Sequence, residues 1–185
     1  PVHPRNETVL GFDCYPNLAA IPNEVEVCVV ALRSDLVLES VGQMHAKGVR
    51  AAVILASGFS EIGEEGRVLE RELAKKLKEY NIAACGPNCL GLVNVHTGLT
   101  LYSAACDLRD LKGKVGIVSH SGSICIAFTS AARLNGFSYL VSCGNEAGQS
   151  VGDYVEAMVL DNQTEVIAAF LETIRDPSRL KEASQ

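Results

Sequence analysis

Apolar runs alternate along this chain with more polar stretches, and the alternation predicts its elements. Residues 25–32 and 50–57 are nearly continuous apolar runs, which is typical of strands buried on both faces of a sheet. Residues 34–47 and 61–80 follow these runs as predicted helices, and residues 82–85 form a third predicted strand. Strands that alternate with helices at this length predict βαβ units and parallel sheets.

A second block of the same kind begins after residue 110. Its predicted elements are a strand at 114–119, a helix ending near residue 135, a strand at 139–143, a helix at 151–160 and a strand at 165–172. A looser β-like section at 92–103 and a polar linker at 107–113 separate the two blocks. The chain is therefore predicted to have an α/β fold with two subdomains, residues 1–108 and residues 113–185.

In sheets of this kind, ligands bind at the carboxyl ends of the strands. This rule places five segments at ligand-facing edges: residues 57–59, 86–91, 119–123 and 144–148, and Glu172. Four of the five are turns rich in Gly, Asn or Ser, which allow a ligand to approach the backbone closely. We therefore expect the binding residues in these turns.

The turn at residues 119–123, called here the Ser121 turn, has the features of an anion site. It joins an apolar strand to a helical pattern, so the first N–H groups of the helix lack partners within the helix. The helix dipole adds roughly half a positive charge at that end, and Ser119, Ser121 and Ser123 add hydroxyl donors. The pattern fits a phosphate site. It fits equally well an ordinary helix with Ser as its N-cap.

Composition excludes several classes of function. The net charge is −6 and there is no basic run, which argues against nucleic acid as a partner. No apolar stretch reaches the roughly 18 residues of a membrane span, so no membrane is expected. The seven cysteines lack metal-like CxxC spacing and the four histidines are scattered. We therefore predict no metal site, and reduced thiols in a cytoplasmic protein.

Four motifs in a fixed order resemble one known family. They are GPNCLG (86–91), GKVGIVSHSGS (113–123), CGNEAG (143–148) and FLETIRD (170–176). Together they resemble the NDP-forming acyl-CoA synthetases, which include the ADP-forming acetate–CoA ligases and the succinyl-CoA synthetase α subunit. The resemblance implies a Rossmann-like CoA-binding domain followed by a flavodoxin-like parallel-sheet subdomain. It also implies that the first strand of the Rossmann-like domain would precede Pro1.

The resemblance implies a reaction as well. The family converts acyl-CoA, phosphate and a nucleoside diphosphate into carboxylic acid, CoA and a nucleoside triphosphate, through an acyl phosphate and a phosphorylated histidine. That histidine would lie beyond Gln185. ADP or ATP, with Mg, would bind to a separate ATP-grasp domain or subunit. The chain alone is therefore expected to be incomplete and inactive, and association into an oligomer is expected.

The resemblance further implies roles for individual residues, which we take as predictions. CoA is expected to be bound by Pro4, Arg5, Ser57, Gly58, Phe59, Asn88 and Cys89. Phosphate is expected to be bound by Ser121, Gly122, Ser123, Asn145 and Glu146. Glu172 is expected to orient the phosphorylated histidine.

Simpler interpretations compete for three features. His120 lies in a Ser-His-Ser-Gly sequence that echoes the family's nucleophile, but its position in the Ser121 turn favours no direct chemical role. Cys89 is interpreted as packing or lining the CoA site, because no base is evident near it in the sequence. The charged run at residues 61–78 is interpreted as a solvated helix face.

Two other functions stay open at this point. A non-catalytic CoA-sensing module, such as the regulatory part of a fused acetyltransferase, shares the motifs, and only residues beyond Gln185 would separate it from an enzyme. A flavodoxin-like FMN binder shares only the βαβ layout, which does not fix function. The chain's aromatic content of 5% and the absence of Trp disfavour a flavin site.

Overall fold

The computed structural model describes residues 1–106, 111–131 and 136–185. In chain order the strands are β1 (Thr8–Val9), β2 (Phe12–Asp13), β3 (Val27–Val30), β4 (Ala51–Ile54), β5 (Ala83–Cys85), β6 (Gly91–Asn94), β7 (Leu99–Tyr102), β8 (Lys112–Ser119), β9 (Phe137–Ser142) and β10 (Val166–Phe170). The helices are α1 (Ser34–Lys47), α2 (Glu64–Glu79), α3 (Gly122–Ala131), α4 (Val151–Val159) and α5 (Pro177–Ala183). Among the described residues, none of the helices combines the length and apolarity that crossing a membrane requires.

The first sheet contains three parallel strands in the order β3, β4, β5. Helices α1 and α2 connect them, as the alternation of apolar and helical segments predicts. The inward faces bury Val37, Val41 and Met44 from α1, and Leu73 and Leu77 from α2. Burying a side chain of this size contributes about 1.5–3 kcal/mol. The strand ends that carry the predicted ligand turns are therefore held by a packed core.

The second sheet has five strands in the order β10, β8, β9, β6, β7. Strand β8 lies between β10 and β9 and is parallel to both, as predicted. Strands β6 and β7 form an antiparallel hairpin, and β6 is also antiparallel to β9. The parallel sheet thus carries two antiparallel strands at one edge. The short turn between β6 and β7 permits only antiparallel pairing.

The β6–β7 hairpin connects the two parts of the chain. The predicted domain limits place it with residues 1–108, whereas its strand β6 pairs with the second sheet, with Gly91 opposite Ser142. An apolar pattern does not specify which sheet edge a strand will join, because any open edge presents unpaired N–H and C=O groups. The domain limits themselves stay a prediction, and part of the linker between them lies outside the described residues.

Residues from both sheets share one buried cluster. Val53 and Cys85 of the first sheet pack with Val118 and Val141 of the second, and Met158 of α4 belongs to the same cluster. This shared core holds the carboxyl ends of β5 and β8 at one junction, where the predicted ligand turns also lie.

Predicted and observed elements agree best where a turn residue marks the boundary. Helix α1 occupies the predicted residues, 34–47, and Gly48 follows it at φ +83. Strand β3 is shorter than the predicted 25–32, because apolar packing extends beyond the hydrogen-bonded ladder. Helix α2 begins at Glu64, since a 3-10 turn at Ser60–Ile62 occupies its predicted start. The predicted end of the helix near residue 135 lies outside the described residues.

Candidate functional site

The loop at residues 144–148, called here the closing loop, folds onto the turn at residues 86–91. The N–H of Asn145 donates to Pro87 O at 2.8 Å, and the N–H of Ala147 donates to Gly86 O at 3.0 Å. Gly144 has φ +61, and a Cβ at this position would lie 2.2 Å from Pro87 O. Only glycine allows this approach. The structure thus joins two motifs that lie 57 positions apart in the sequence.

The Ser121 turn is partly satisfied by its own side chains. Ser119 Oγ accepts the N–H of Ser121 at 3.0 Å, and Ser121 Oγ accepts the N–H of Ile124 at 3.5 Å. The N–H groups of Gly122 and Ser123 have no hydrogen-bond partner within the described part of the chain. The turn therefore behaves as a self-capped helix start with two remaining donors at its tip. The structure thus shows the capped helix start, and the phosphate site stays a prediction.

His120 is held on both ring nitrogens. Its Nδ1 accepts the N–H of Glu172 at 3.0 Å, so Nε2 carries the ring proton and donates to Glu146 Oε1 at 2.6 Å. The other oxygen of Glu146 accepts the N–H of Val151, the first residue of α4, at 2.6 Å. The His120 and Glu146 side chains are only 5% and 2% exposed. This pairing supports the interpretation that His120 has no direct chemical role.

A second cluster, called here the Asn145 network, joins the two halves of the molecule through one side-chain amide. Asn145 Nδ2 donates to Glu61 Oε2 at 2.6 Å and to Glu70 Oε2 at 2.9 Å, and its Oδ1 accepts from Asn88 Nδ2 at 3.4 Å. Arg175 Nη1 donates to Glu70 Oε1 at 3.1 Å. Glu70 and Asn145 are 7% and 8% exposed, so their polar atoms depend on these partners.

Glu61 covers the turn at residues 57–59, called here the Gly58 turn. Its Oε1 accepts the N–H of Gly58 at 2.5 Å and the N–H of Phe59 at 3.2 Å. Burial would raise the pKa of Glu61, but the hydrogen bonds from Asn145 and from these backbone groups outweigh it and hold the pKa below its ordinary value. Ser57 is exposed, whereas the Phe59 ring is fully buried, so only the Phe59 backbone faces the turn.

Buried thiols lie beneath these turns. Cys89 Sγ lies 3.4 Å from Ile54 O and 4.0 Å from Cys85 Sγ. The contact with Cys85, together with burial, raises the pKa of the Cys89 thiol far above its ordinary value. Burial likewise raises the pKa of Cys125 to about 11. A protonated thiol is a poor nucleophile, which supports the packing role over the nucleophilic one.

The other predicted site residues are not drawn into this cluster. Pro4 and Arg5 are exposed, and neither forms a hydrogen bond or ion pair with another predicted site residue in the described ranges. The Glu172 carboxylate is also exposed, and only its backbone N–H contacts His120. The described residues contain no group of three or more His, Cys, Asp or Glu arranged to hold a metal ion.

Sequence reasoning missed Glu61, Glu70 and Arg175. The interpretation of residues 61–78 as a solvated helix face is wrong for Glu70, which is buried. A signal was present, because Glu70 lies at helical spacing from the buried residues Gly66, Leu73 and Leu77. No sequence pattern indicated that Arg175 is its partner 105 positions away.

Comparison with known proteins decides the family. Residues 1–95 match the model of a CoA binding domain, and residues 112–185 match that of a succinyl-CoA ligase like flavodoxin domain. The chain belongs to the CoA-binding domain family. The two matches, in this order, confirm the predicted resemblance to the NDP-forming acyl-CoA synthetases and the predicted Rossmann-like and flavodoxin-like fold.

Similar proteins are longer than this chain. A trans-feruloyl-CoA synthase of an unknown prokaryotic organism is 38% identical over 96% of this chain and 26% of its own length. The alpha subunit of an ADP-forming acetate–CoA ligase II from Pyrococcus furiosus is 32% identical over 100% of this chain and 40% of its own. A solved dinucleotide-forming acetyl-coenzyme A synthetase 1 from Candidatus Korarchaeum cryptofilum, in complex with phosphate and ADP, has a TM-score of 0.87 and 32% identity, over 97% of this chain and 38% of that chain. The chain thus spans 26–40% of these proteins.

Proposed function

We propose that the chain is the CoA-binding and phosphate-binding part of an ADP-forming acyl-CoA ligase. The observation that carries the proposal is the match to a CoA binding domain over residues 1–95 and then to a succinyl-CoA ligase like flavodoxin domain over residues 112–185. The Korarchaeum relative holds phosphate and ADP. The complete reaction would convert acyl-CoA, phosphate and ADP into carboxylic acid, CoA and ATP.

The N–H groups of Gly122 and Ser123, which have no partner among the described residues, would hold the phosphate, with the helix dipole of α3 favouring its negative charge. A phosphate oxygen would attack the thioester carbonyl carbon, the C–S bond would break, and CoA would leave as the thiolate. The product on this side is an acyl phosphate. Its phosphoryl group would then pass to a histidine outside this chain, with release of the carboxylate, and from there to ADP.

The closing loop would shape the site rather than bind the phosphate through its side chains. The Asn145 amide and the Glu146 carboxylate already have hydrogen-bond partners on each nitrogen and oxygen atom. Glu172, whose carboxylate is exposed at the end of β10, is the group proposed to orient the phosphorylated histidine. Its backbone contact with His120 would set its position relative to the Ser121 turn.

Partners belong to the same proposal. The Pyrococcus relative is named an alpha subunit, which implies a partner subunit in that enzyme. We propose that an ATP-grasp domain or subunit binds ADP and Mg for this protein too, and that the assembly is oligomeric. A cytoplasmic location is proposed because the buried Cys85, Cys89, Cys125 and Cys143 are not paired in disulfides, as is usual for proteins of a reducing compartment.

Binding of phosphate and CoA to the chain tests the proposal. Titration with inorganic phosphate should shift the amide NMR signals of Gly122 and Ser123, and calorimetry should detect CoA binding. In Gly122→Ala, the new Cβ would lie 3.0 Å from Leu90 Cδ1, and phosphate should bind several-fold more weakly. Gly42→Ala, also in a helix but with no atom within 4 Å of the new Cβ, is the matched control. Absence of both CoA binding and the two amide shifts would contradict the proposal.

A further inference from the structure

The Gly58 turn already contains an anion, supplied by the chain itself. Two consecutive N–H groups at the end of a parallel strand form a small positive concavity of the kind that binds phosphate or carboxylate. Here Glu61 Oε1 accepts both, from Gly58 at 2.5 Å and from Phe59 at 3.2 Å. An anionic ligand group can reach these donors only after Glu61 has left them.

Glu61 is not a loose side chain. Its second oxygen, Oε2, accepts Asn145 Nδ2 at 2.6 Å, so both oxygens are held. The same Asn145 nitrogen donates to Glu70 Oε2 at 2.9 Å. Glu70 is fixed in turn by the N–H of Ser60 at 3.1 Å and by Arg175 at 3.1 Å. The carboxylate over the turn is therefore anchored from the opposite half of the molecule.

The charges of the network also disfavour an anion here. Glu61 and Glu70 approach one amide nitrogen, and among the described residues the cation in contact with this pair is Arg175, which reaches Glu70 alone. Two carboxylates against one guanidinium leave this region negative, and like charges a few ångströms apart repel. The occupied N–H groups and the excess negative charge thus both disfavour binding of an anion at the Gly58 turn.

We propose that Glu61 is a specificity determinant: it fills the amide pair of the Gly58 turn, excludes phosphate from that turn, and is positioned there by Asn145, Glu70 and Arg175. Inorganic phosphate is thereby confined to the Ser121 turn.

Amide NMR of the chain titrated with inorganic phosphate tests this assignment. In the wild type, the Gly58 and Phe59 signals should not respond to phosphate. In Glu61→Ala they should shift and saturate, with an affinity at this pair at least about tenfold tighter than in the wild type. Glu72→Ala removes the same charge from the exposed face of α2 and serves as the control, with no shift at Gly58 or Phe59.

The outcomes separate occupation from general electrostatics. Saturable shifts of Gly58 and Phe59 in the wild type would overturn the proposal, as would their absence in Glu61→Ala. Glu61→Gln keeps an oxygen for the two N–H groups, so its gain should be smaller than that of Glu61→Ala. An equal gain would overturn occupation as the cause. These signals are independent of Gly122 and Ser123, so a failure of the proposed phosphate site is distinguishable from a failure here.

Variants of Arg175 test whether the Asn145 network positions Glu61. Arg175→Met leaves Glu70 without its cation, so the network should loosen and Glu61 should release the N–H groups of Gly58 and Phe59, which should then exchange faster with water. Amide exchange is the readout, because losing a cation makes the region more negative and disfavours phosphate for that reason alone. Arg175→Lys restores the charge and should slow most of this exchange again. A merely structural role would raise exchange throughout the chain and not selectively at these two amides. If Arg175→Met and the wild type exchange alike at Gly58 and Phe59, Arg175 does not position Glu61.

Discussion

Two turns of this protein occupy equivalent places in the fold and have opposite states. The Gly58 turn follows β4 and the Ser121 turn follows β8, each at the carboxyl end of a parallel strand. In the Gly58 turn, the Glu61 carboxylate accepts two backbone N–H groups. In the Ser121 turn, the N–H groups of Gly122 and Ser123 have no partner within the described residues.

The difference teaches that a strand-end turn is an anion site only when its donors are left free. Gly and Ser are enriched in both turns, so composition does not separate them. A carboxylate two or three positions downstream, held by a distant amide, decides the matter for the Gly58 turn. For the Ser121 turn, the Glu146 carboxylate is instead held by His120 and by the start of α4.

The closing loop contacts Glu61 through Asn145 and His120 through Glu146, so it is linked to both turns. Substitution of its Gly144 should have the largest effect on the protein. Gly144→Ala should destabilise the protein by about 3 kcal/mol or more, because left-handed strain adds to a clash with Pro87 O. The displaced loop should release Glu61 and Glu146 together. Urea denaturation measures the stability, and phosphate titration reports both turns.

Gly98→Ala is the matched control, since Gly98 has φ +75 but no atom within 4 Å of its added Cβ. It should cost only the left-handed strain, about 1–2 kcal/mol, and leave phosphate binding unchanged. Equal losses in the two variants would mean that the close approach to Pro87 does not matter.

Removing His120 should affect the Ser121 turn alone. His120→Ala leaves the Glu146 carboxylate buried with one donor fewer, which should cost about 1–3 kcal/mol of unfolding free energy. His120→Gln keeps a side-chain N–H and should recover part of it. Phosphate binding at Gly122 and Ser123 should weaken, while the amide signals of Gly58 and Phe59 should still not respond to phosphate. A response at Gly58 in His120→Ala would show that the two turns are not independent.

Lowering the pH should reduce, by a small amount, the stability that Glu61 contributes at the Gly58 turn. The pKa of Glu61 is lowered in the folded protein, so its contribution is present above the unfolded value of about 4.3 and is lost as pH falls through the folded pKa. Solvent screening at this partly exposed group keeps the contribution below about 1 kcal/mol. The stability difference between wild type and Glu61→Gln should therefore shrink below a pH of about 4.3 in urea melts. Glu72→Gln is the control, and a difference that grows on acidification would refute the assigned sign.

The fold was predictable to a large extent. The alternation of apolar runs and helices, and motifs such as GPNCLG, predicted the parallel strands, helix α1 and the family. These are local properties, because strand and helix periodicity are written in neighbouring residues. The β6–β7 hairpin was assigned to the other part of the chain, since its pairing with β9 depends on which sheet edge is open.

The sequence by itself determined where the turns are and which backbone donors they present. Tertiary structure decided which donors stay free. His120 and Glu146 lie 26 positions apart, Glu61 and Asn145 lie 84 apart, and Glu70 and Arg175 lie 105 apart. Such contacts follow from the packing of two sheets around one core, and no local pattern encodes them. Where these groups are buried, the protein's stability depends on each contact, because a polar group removed from water must find a hydrogen-bond partner.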